Sequence, residues 1–134
     1  MPEPSADGSR PARRIEIADH STRLRTSICG IVIADSTAAK ILREDGYPAV
    51  FYFPPGDVRL DEFMTPTSHR TICPFKGEAQ YWSFSLGGRR EDNIAWAYPD
   101  PLPACAAIQG HIAFYWQRMD VWFQDDHPLQ APPP

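Results

Sequence analysis

Cysteine is scarce and badly placed for the roles it usually plays in a small domain. The three present, Cys29, Cys73 and Cys105, are odd in number and widely spaced, with no CxxC pair. A structural zinc site and a disulfide framework are therefore not expected, and no metal is assigned. Positive charge is also short: 13 Lys and Arg face 17 Asp and Glu, for a net charge of −4. The only basic cluster, Arg10, Arg13 and Arg14, sits near the N-terminus, so a nucleic-acid partner is not expected. No apolar run approaches the roughly 18 residues of a membrane helix, and no membrane partner is expected. The opening MPEPSADGSRPARR has no apolar h-region, so a secretory signal is not read there and a cytoplasmic protein is the default. Walker loops, dinucleotide-binding glycine patterns and Ser-His-Asp signatures are missing too, and no cofactor is called for.

What is present suits one globular domain. The 134 residues are 43% hydrophobic and 22% charged, within the usual range for a compact chain with a core. Residues 1–14 read as a disordered, Pro/Ser/Gly/Arg-rich tail, 15–127 as a single β-rich domain, and 128–134 as a Pro-rich tail. Short strands are expected at Ile15–Ile17 and at Leu24–Ser27 with Ile31–Ala34, the last two forming a bent or bulged hairpin around Gly30. Residues 36–44 fit either a helix capped by Ser36 or a strand from Ala39 to Glu44; the strand is preferred. Ala49–Phe53 has high β propensity and is stopped by Pro54-Pro55-Gly56. Thr65–Arg70 reads as a polar loop around Pro66. Gln80–Leu86 alternates and returns through Gly87-Gly88 into Ile94–Tyr98. Pro103 opens a helical turn to Ile108. His111–Trp116 and Val121–Phe123 close the domain as strands. The sum is a mainly β fold of about seven to nine short antiparallel strands in two sheets with little helix.

Most of the chemistry-bearing residues fall between Phe51 and Tyr98. Lys76, next to Gly77 and close to Phe75, Tyr81 and Trp82, suits binding of an anionic or carbonyl group; the alternative is a structural ion pair to Asp57 or Glu44. Cys73, three residues before Lys76 and four after His69, is either an activated thiol or a small buried hydrophobe. Asp57 after Pro-Pro-Gly could act as a general base or simply shape its turn. His69 could move protons or lie exposed on its loop. Tyr52 and Tyr98 sit near strand ends beside prolines, each with a hydroxyl that needs a partner. With Thr71 and Trp96 they are the expected ligand-binding wall of a pocket for a small molecule.

The blocks Ala34-Asp35-Ser36, Tyr52-Phe53-Pro54 with Asp57-Val58, Cys73-Pro74-Phe75-Lys76-Gly77-Glu78-Ala79 with Tyr81-Trp82, Ala95-Trp96 with Tyr98-Pro99, and Gly110 to Tyr115 follow in that order. In these the chain resembles domain-of-unknown-function family 427, sometimes labelled nucleotidyltransferase-like, over roughly Leu24 to Trp122. Phe75 stands where many members have Tyr. The resemblance implies a compact β-tent-like domain. Related tents often hold zinc on four cysteines, which this chain lacks. Two classes of function stay open: a small enzyme using Lys76, Asp57, Cys73 and His69 in acid/base or thiol chemistry, and a non-catalytic module binding a small molecule or a protein. Nucleotidyl transfer ranks behind both, since no triphosphate loop or paired-carboxylate site is found. A homodimer is left open.

Overall fold

The computed structural model describes residues 14–134. The tail expected at residues 1–14 therefore lies, apart from Arg14, outside the described residues. Among these, eleven strands form three antiparallel sheets. The mainly β expectation holds, but with three sheets rather than two and more strands than the seven to nine expected. The first sheet pairs β1 (Ile15–His20), β4 (Ala39–Glu44) and β5 (Val50–Tyr52) in the order β1-β4-β5. The second runs β11-β10-β2-β3, from β2 (Leu24–Ile28), β3 (Ile31–Ser36), β10 (Val121–Gln124) and β11 (His127–Pro128). The third runs β6-β7-β8-β9, from β6 (Met64–Cys73), β7 (Gly77–Leu86), β8 (Arg89–Ala97) and β9 (Ala113–Phe114). Among the described residues, helix is confined to α1 (Leu60–Phe63) and three short 3₁₀ turns.

Local chemistry accounts for most of these elements. The β2–β3 hairpin turns through Cys29 and Gly30, both with positive φ (52° and 75°), as a primed two-residue turn requires. Its register shifts between Thr26 and Ser27, which is the expected bulge. Residues 39–44 are a strand, and Ser36 does not cap a helix; its Oγ accepts the Ala38 N–H at 2.9 Å, making a local turn instead. The polar stretch Thr65–Arg70 is not a loop. It belongs to β6, an edge strand whose register shifts between Pro66 and Arg70, and an edge is where a strand tolerates a proline without N–H. The expected strand His111–Trp116 is real only at Ala113–Phe114; Trp116–Arg118 curls into a 3₁₀ turn.

The sheets enclose two apolar clusters, and strand alternation distributes residues between them. Ile41, Phe51, Phe53, Trp82, Ala95, Ala97 and Phe114 join the larger cluster. Their chain neighbours Leu42, Tyr52, Tyr81, Trp96, Tyr98 and Ala113 join the smaller one. β4, β5, β7, β8 and β9 thus form a middle layer with core on both faces, at about 1.5–3 kcal/mol for each large side chain fully buried. Phe53 and Ile112 stitch the first and third sheets together through two reciprocal backbone hydrogen bonds of 2.8 Å.

Candidate functional site

The Cys73–Gly77 turn carries most of the candidate chemistry inward. Lys76 N–H closes the turn onto the Cys73 carbonyl at 3.2 Å, and Leu102 N–H donates to the Lys76 carbonyl at 2.9 Å. Gly77 has φ +119°, and a Cβ there would lie 3.3 Å from the Asp100 carbonyl oxygen. The loop is therefore held against the 100–105 segment and the Lys76 side chain points into the smaller core. Its Nζ donates to Glu44 Oε1 of β4 at 2.7 Å, with side-chain exposures of only 4% and 3%. Cys73 Sγ lies 3.8 Å from the same Nζ. Of the two ion-pair partners considered for Lys76, the structure pairs it with Glu44.

Tyr52, Cys73, Trp96, Tyr98 and Cys105 surround this pair in one buried cluster. Trp96 Nε1–H donates to the Tyr52 hydroxyl at 3.3 Å, and the two rings meet edge to face with centroids 6.5 Å apart. Burial pushes the hydroxyls of Tyr52 and Tyr98 well above the ordinary tyrosine range and raises the Cys105 thiol. All three are held in their protonated forms by the cost of charging them in an apolar surrounding. The space left between Glu44, Lys76, Tyr52 and Trp96 is a void of about 10 Å³, at most the room for one water.

The other expected site residues lie farther out. Thr71 Oγ1 and the Tyr81 hydroxyl share a 2.8 Å hydrogen bond at the edge of the cluster. His69 is exposed, its ring 4.6 Å from that of Tyr81. Asp57 lies in the 3₁₀ turn Pro55–Asp57, where its carboxylate accepts the Ser36 hydroxyl at 2.6 Å. Its partner is thus Ser36 and not Lys76. Six of the eight candidates gather in or against the smaller core; His69 stays on its rim, and Asp57 takes part in turn-making elsewhere. Among the described residues, no three His, Cys, Asp or Glu side chains are gathered closely enough to hold a metal.

A much larger cavity, about 340 Å³, also borders Trp96. Its walls are Phe51 of β5, Phe114 of β9, Tyr115, Trp116 and Trp122, with Gln117 and Arg118 at the rim. Trp116 and Trp122 stack at 4.1 Å with their planes 5° apart, and Trp122 Nε1–H donates to the Trp116 carbonyl at 3.1 Å. Phe51 lies 6.3 Å from both rings. The Arg118 guanidinium lies 5.7 Å from the Tyr115 ring centroid and is anchored on Glu91 at 3.0 Å and on the Asp92 carbonyl at 2.8 Å. Glu91 also binds Arg89, which reaches Asp120, so the rim cation belongs to a balanced network of two arginines and two carboxylates. Of the residues around this cavity, sequence reasoning singled out only Trp96 as a ligand contact. The signal it passed over is the run Phe114-Tyr115-Trp116-Gln117-Arg118, where aromatics pass directly into polar residues and a strand gives way to a turn.

One family model matches this chain over residues 16–125, and its description is Domain of unknown function (DUF427). The chain belongs to the DUF427 family. No curated protein matches it. The DUF427 match contains the Glu44–Lys76 pair and the whole aromatic wall of the larger cavity; Pro132, which closes one end of that cavity, lies beyond it. The DUF427 description names no activity.

Proposed function

We propose that this DUF427 domain is a non-catalytic binding module whose site is the cavity floored by the Trp116–Trp122 stack. The observation that carries this is the cavity's aromatic lining, which sets it apart from two cavities of similar size, about 400 and 380 Å³, with mostly charged and polar walls. Its volume of about 340 Å³ falls within the range of about 300–1,000 Å³ typical of small-molecule sites, and its lining is aromatic with a few polar groups at the rim. Phe51, Trp116 and Trp122 give the cavity an apolar, aromatic lining, and Gln117 and Arg118 supply donors to orient a guest. The enzyme reading centred on Lys76 has less support. Its lysine is committed to Glu44, its thiol is 2% exposed, and the void beside them is too small for a substrate. A reactive thiol needs access as well as a cation nearby.

The test is a thermal-shift screen against planar metabolites, nucleosides and aromatic acids. It uses the wild type, Trp116→Ala and Cys73→Ser, with folding checked by circular dichroism. A ligand at a hundred times its Kd stabilises the fold by about 2.7 kcal/mol. Hits that survive Cys73→Ser and vanish in Trp116→Ala are expected. Hits that survive Trp116→Ala and vanish in Cys73→Ser would place the site at the Lys76 turn and refute this reading.

A further inference from the structure

We infer that the occupant for which the aromatic cavity is shaped is a proline-rich peptide segment in extended polyproline conformation, and that the chain's own Pro132 already takes one place in its wall. The inference rests on the reading of this cavity as a binding site and names the partner class.

Three observations converge. First, the segment Ala131-Pro132-Pro133-Pro134 is seated against this part of the domain by specific bonds. Leu129 N–H donates to the Trp122 carbonyl at 2.8 Å, leading the chain past the tryptophan stack. Ala49 N–H donates to the Pro133 carbonyl at 3.1 Å, while Arg43 Nε–H holds a Pro134 backbone oxygen at 3.1 Å beside a neighbouring polar cavity. Pro132 then forms part of the cavity wall, near Pro48 and Ala49.

Second, the rim chemistry matches what a proline segment offers. A run of prolines has no backbone N–H, so it presents acceptors only, and its compact apolar rings are fixed by a stiff backbone. The donor that meets Pro133 is the Ala49 N–H, and Gln117 and Arg118 line the cavity with further donor groups. Trp116, backed face to face by the buried Trp122 and flanked by Phe51, supplies the kind of aromatic surface on which proline rings pack in peptide grooves. Third, the electrostatics are neutral. Arg118 is balanced by Glu91, which fits an uncharged peptide better than an anion.

The experiment follows the four indole N–H signals of the full chain by two-dimensional NMR. It titrates an acetylated, amidated hexaproline peptide and, separately, a Gly-Ser peptide of the same length. Trp82 takes no part in the cavity lining and serves as internal reference. The expected result is a saturable shift of the Trp116 and Trp122 signals with hexaproline, none for Trp82, and none with Gly-Ser. Pro132→Ser, which removes a wall ring and leaves the backbone bonds in place, should bind hexaproline several-fold more tightly. Unchanged or weaker binding in that variant overturns the claim that the chain's own Pro132 takes a place in the same groove. If hexaproline moves no indole up to millimolar concentration while a planar aromatic compound moves Trp116 and Trp122, the peptide inference falls and the cavity remains a binding site. If neither ligand moves them, both readings fall.

Discussion

Replacing Lys76 by methionine would leave the Glu44 carboxylate in the core without its ammonium partner, at a side-chain exposure of 3%. With the charges 2.7 Å apart and an effective dielectric of about 20, the gross attraction lost is roughly 6 kcal/mol. Desolvating each ion cancels most of that in the intact protein, so the pair adds little net stability over an apolar isostere. The asymmetry appears when one partner goes, because the other still bears its desolvation cost. Lys76→Met and Glu44→Gln should each cost about 3–5 kcal/mol, a large part of the roughly 5–15 kcal/mol that holds a domain together. The double variant should recover at least about 2 kcal/mol of the summed loss, since neither ion remains to be desolvated.

Urea unfolding at neutral pH measures all four corners of this cycle. Single losses below about 1 kcal/mol would mean that water reaches the pair and that the smaller core is not dry. Strict additivity would mean that the two side chains do not sense each other, and would refute the ion pair as the organising contact of the loop. Should Lys76→Met fail to fold, the double variant still decides the matter. A folded double variant supports the pair, and an unfolded one shows that Lys76 contributes something that its contact with Glu44 does not contain.

Four shorter predictions follow from other contacts. Gly77→Ala should destabilise the fold by about 1–3 kcal/mol, because φ +119° strains any side chain and the new Cβ meets the Asp100 carbonyl at 3.3 Å; Gly56→Ala, with open space around it, should be near neutral by the same thermal melt. Thiol titration of the folded chain should give one fast equivalent, from exposed Cys29, with Cys73 and Cys105 reacting only on unfolding; three fast equivalents would contradict the packing. Tyr52→Phe should cost about 1–3 kcal/mol in urea, the penalty for leaving the Trp96 indole N–H without its acceptor in the core. His20 packs 4.8 Å from Phe51, and burial, aided by the nearby Arg43 charge, lowers its pKa below the usual 6.5. The unfolded chain therefore binds the proton first, so stability should fall as the pH drops below 6.5 and level off below the folded pKa; His20→Gln should flatten that part of a urea-midpoint profile against pH.

The elements legible in the sequence were those with local causes. Val50-Phe51-Tyr52 with its proline stop, the Cys29-Gly30 reversal, and the Gly87-Gly88 turn between β7 and β8 each follow from propensity or turn chemistry within a few residues. The misread elements depend on distant partners. Thr65–Arg70 is polar because it lies on an edge, and only its pairing with β7 makes it a strand. Ala113–Phe114 stops short because Trp116 turns to stack on Trp122, a contact no local pattern encodes. The third sheet was missed for the same reason. Alternation shows that a strand has two faces, not how many sheets those faces separate.

The same ambiguity explains why residues of the smaller core read in the sequence as the wall of a pocket. In a sheet with one wet face, Tyr52, Trp96 and Tyr98 would be read as the polar side of their strands, available to a ligand. Here the opposite positions, Phe51, Ala95 and Ala97, are buried as well. The tyrosine, indole, thiol and lysine groups must therefore find partners among themselves, because a buried polar atom without one is costly. Burial alone thus brings Lys76 to Glu44 and Trp96 to Tyr52. Proximity of reactive side chains is then not by itself a sign of catalysis, and access becomes the property to test. By that measure the two spaces that Trp96 lines differ sharply: one is a void of about 10 Å³, the other a cavity of about 340 Å³. A ligand that perturbs Trp96 fluorescence in Cys73→Ser as it does in the wild type would be entering from the aromatic side.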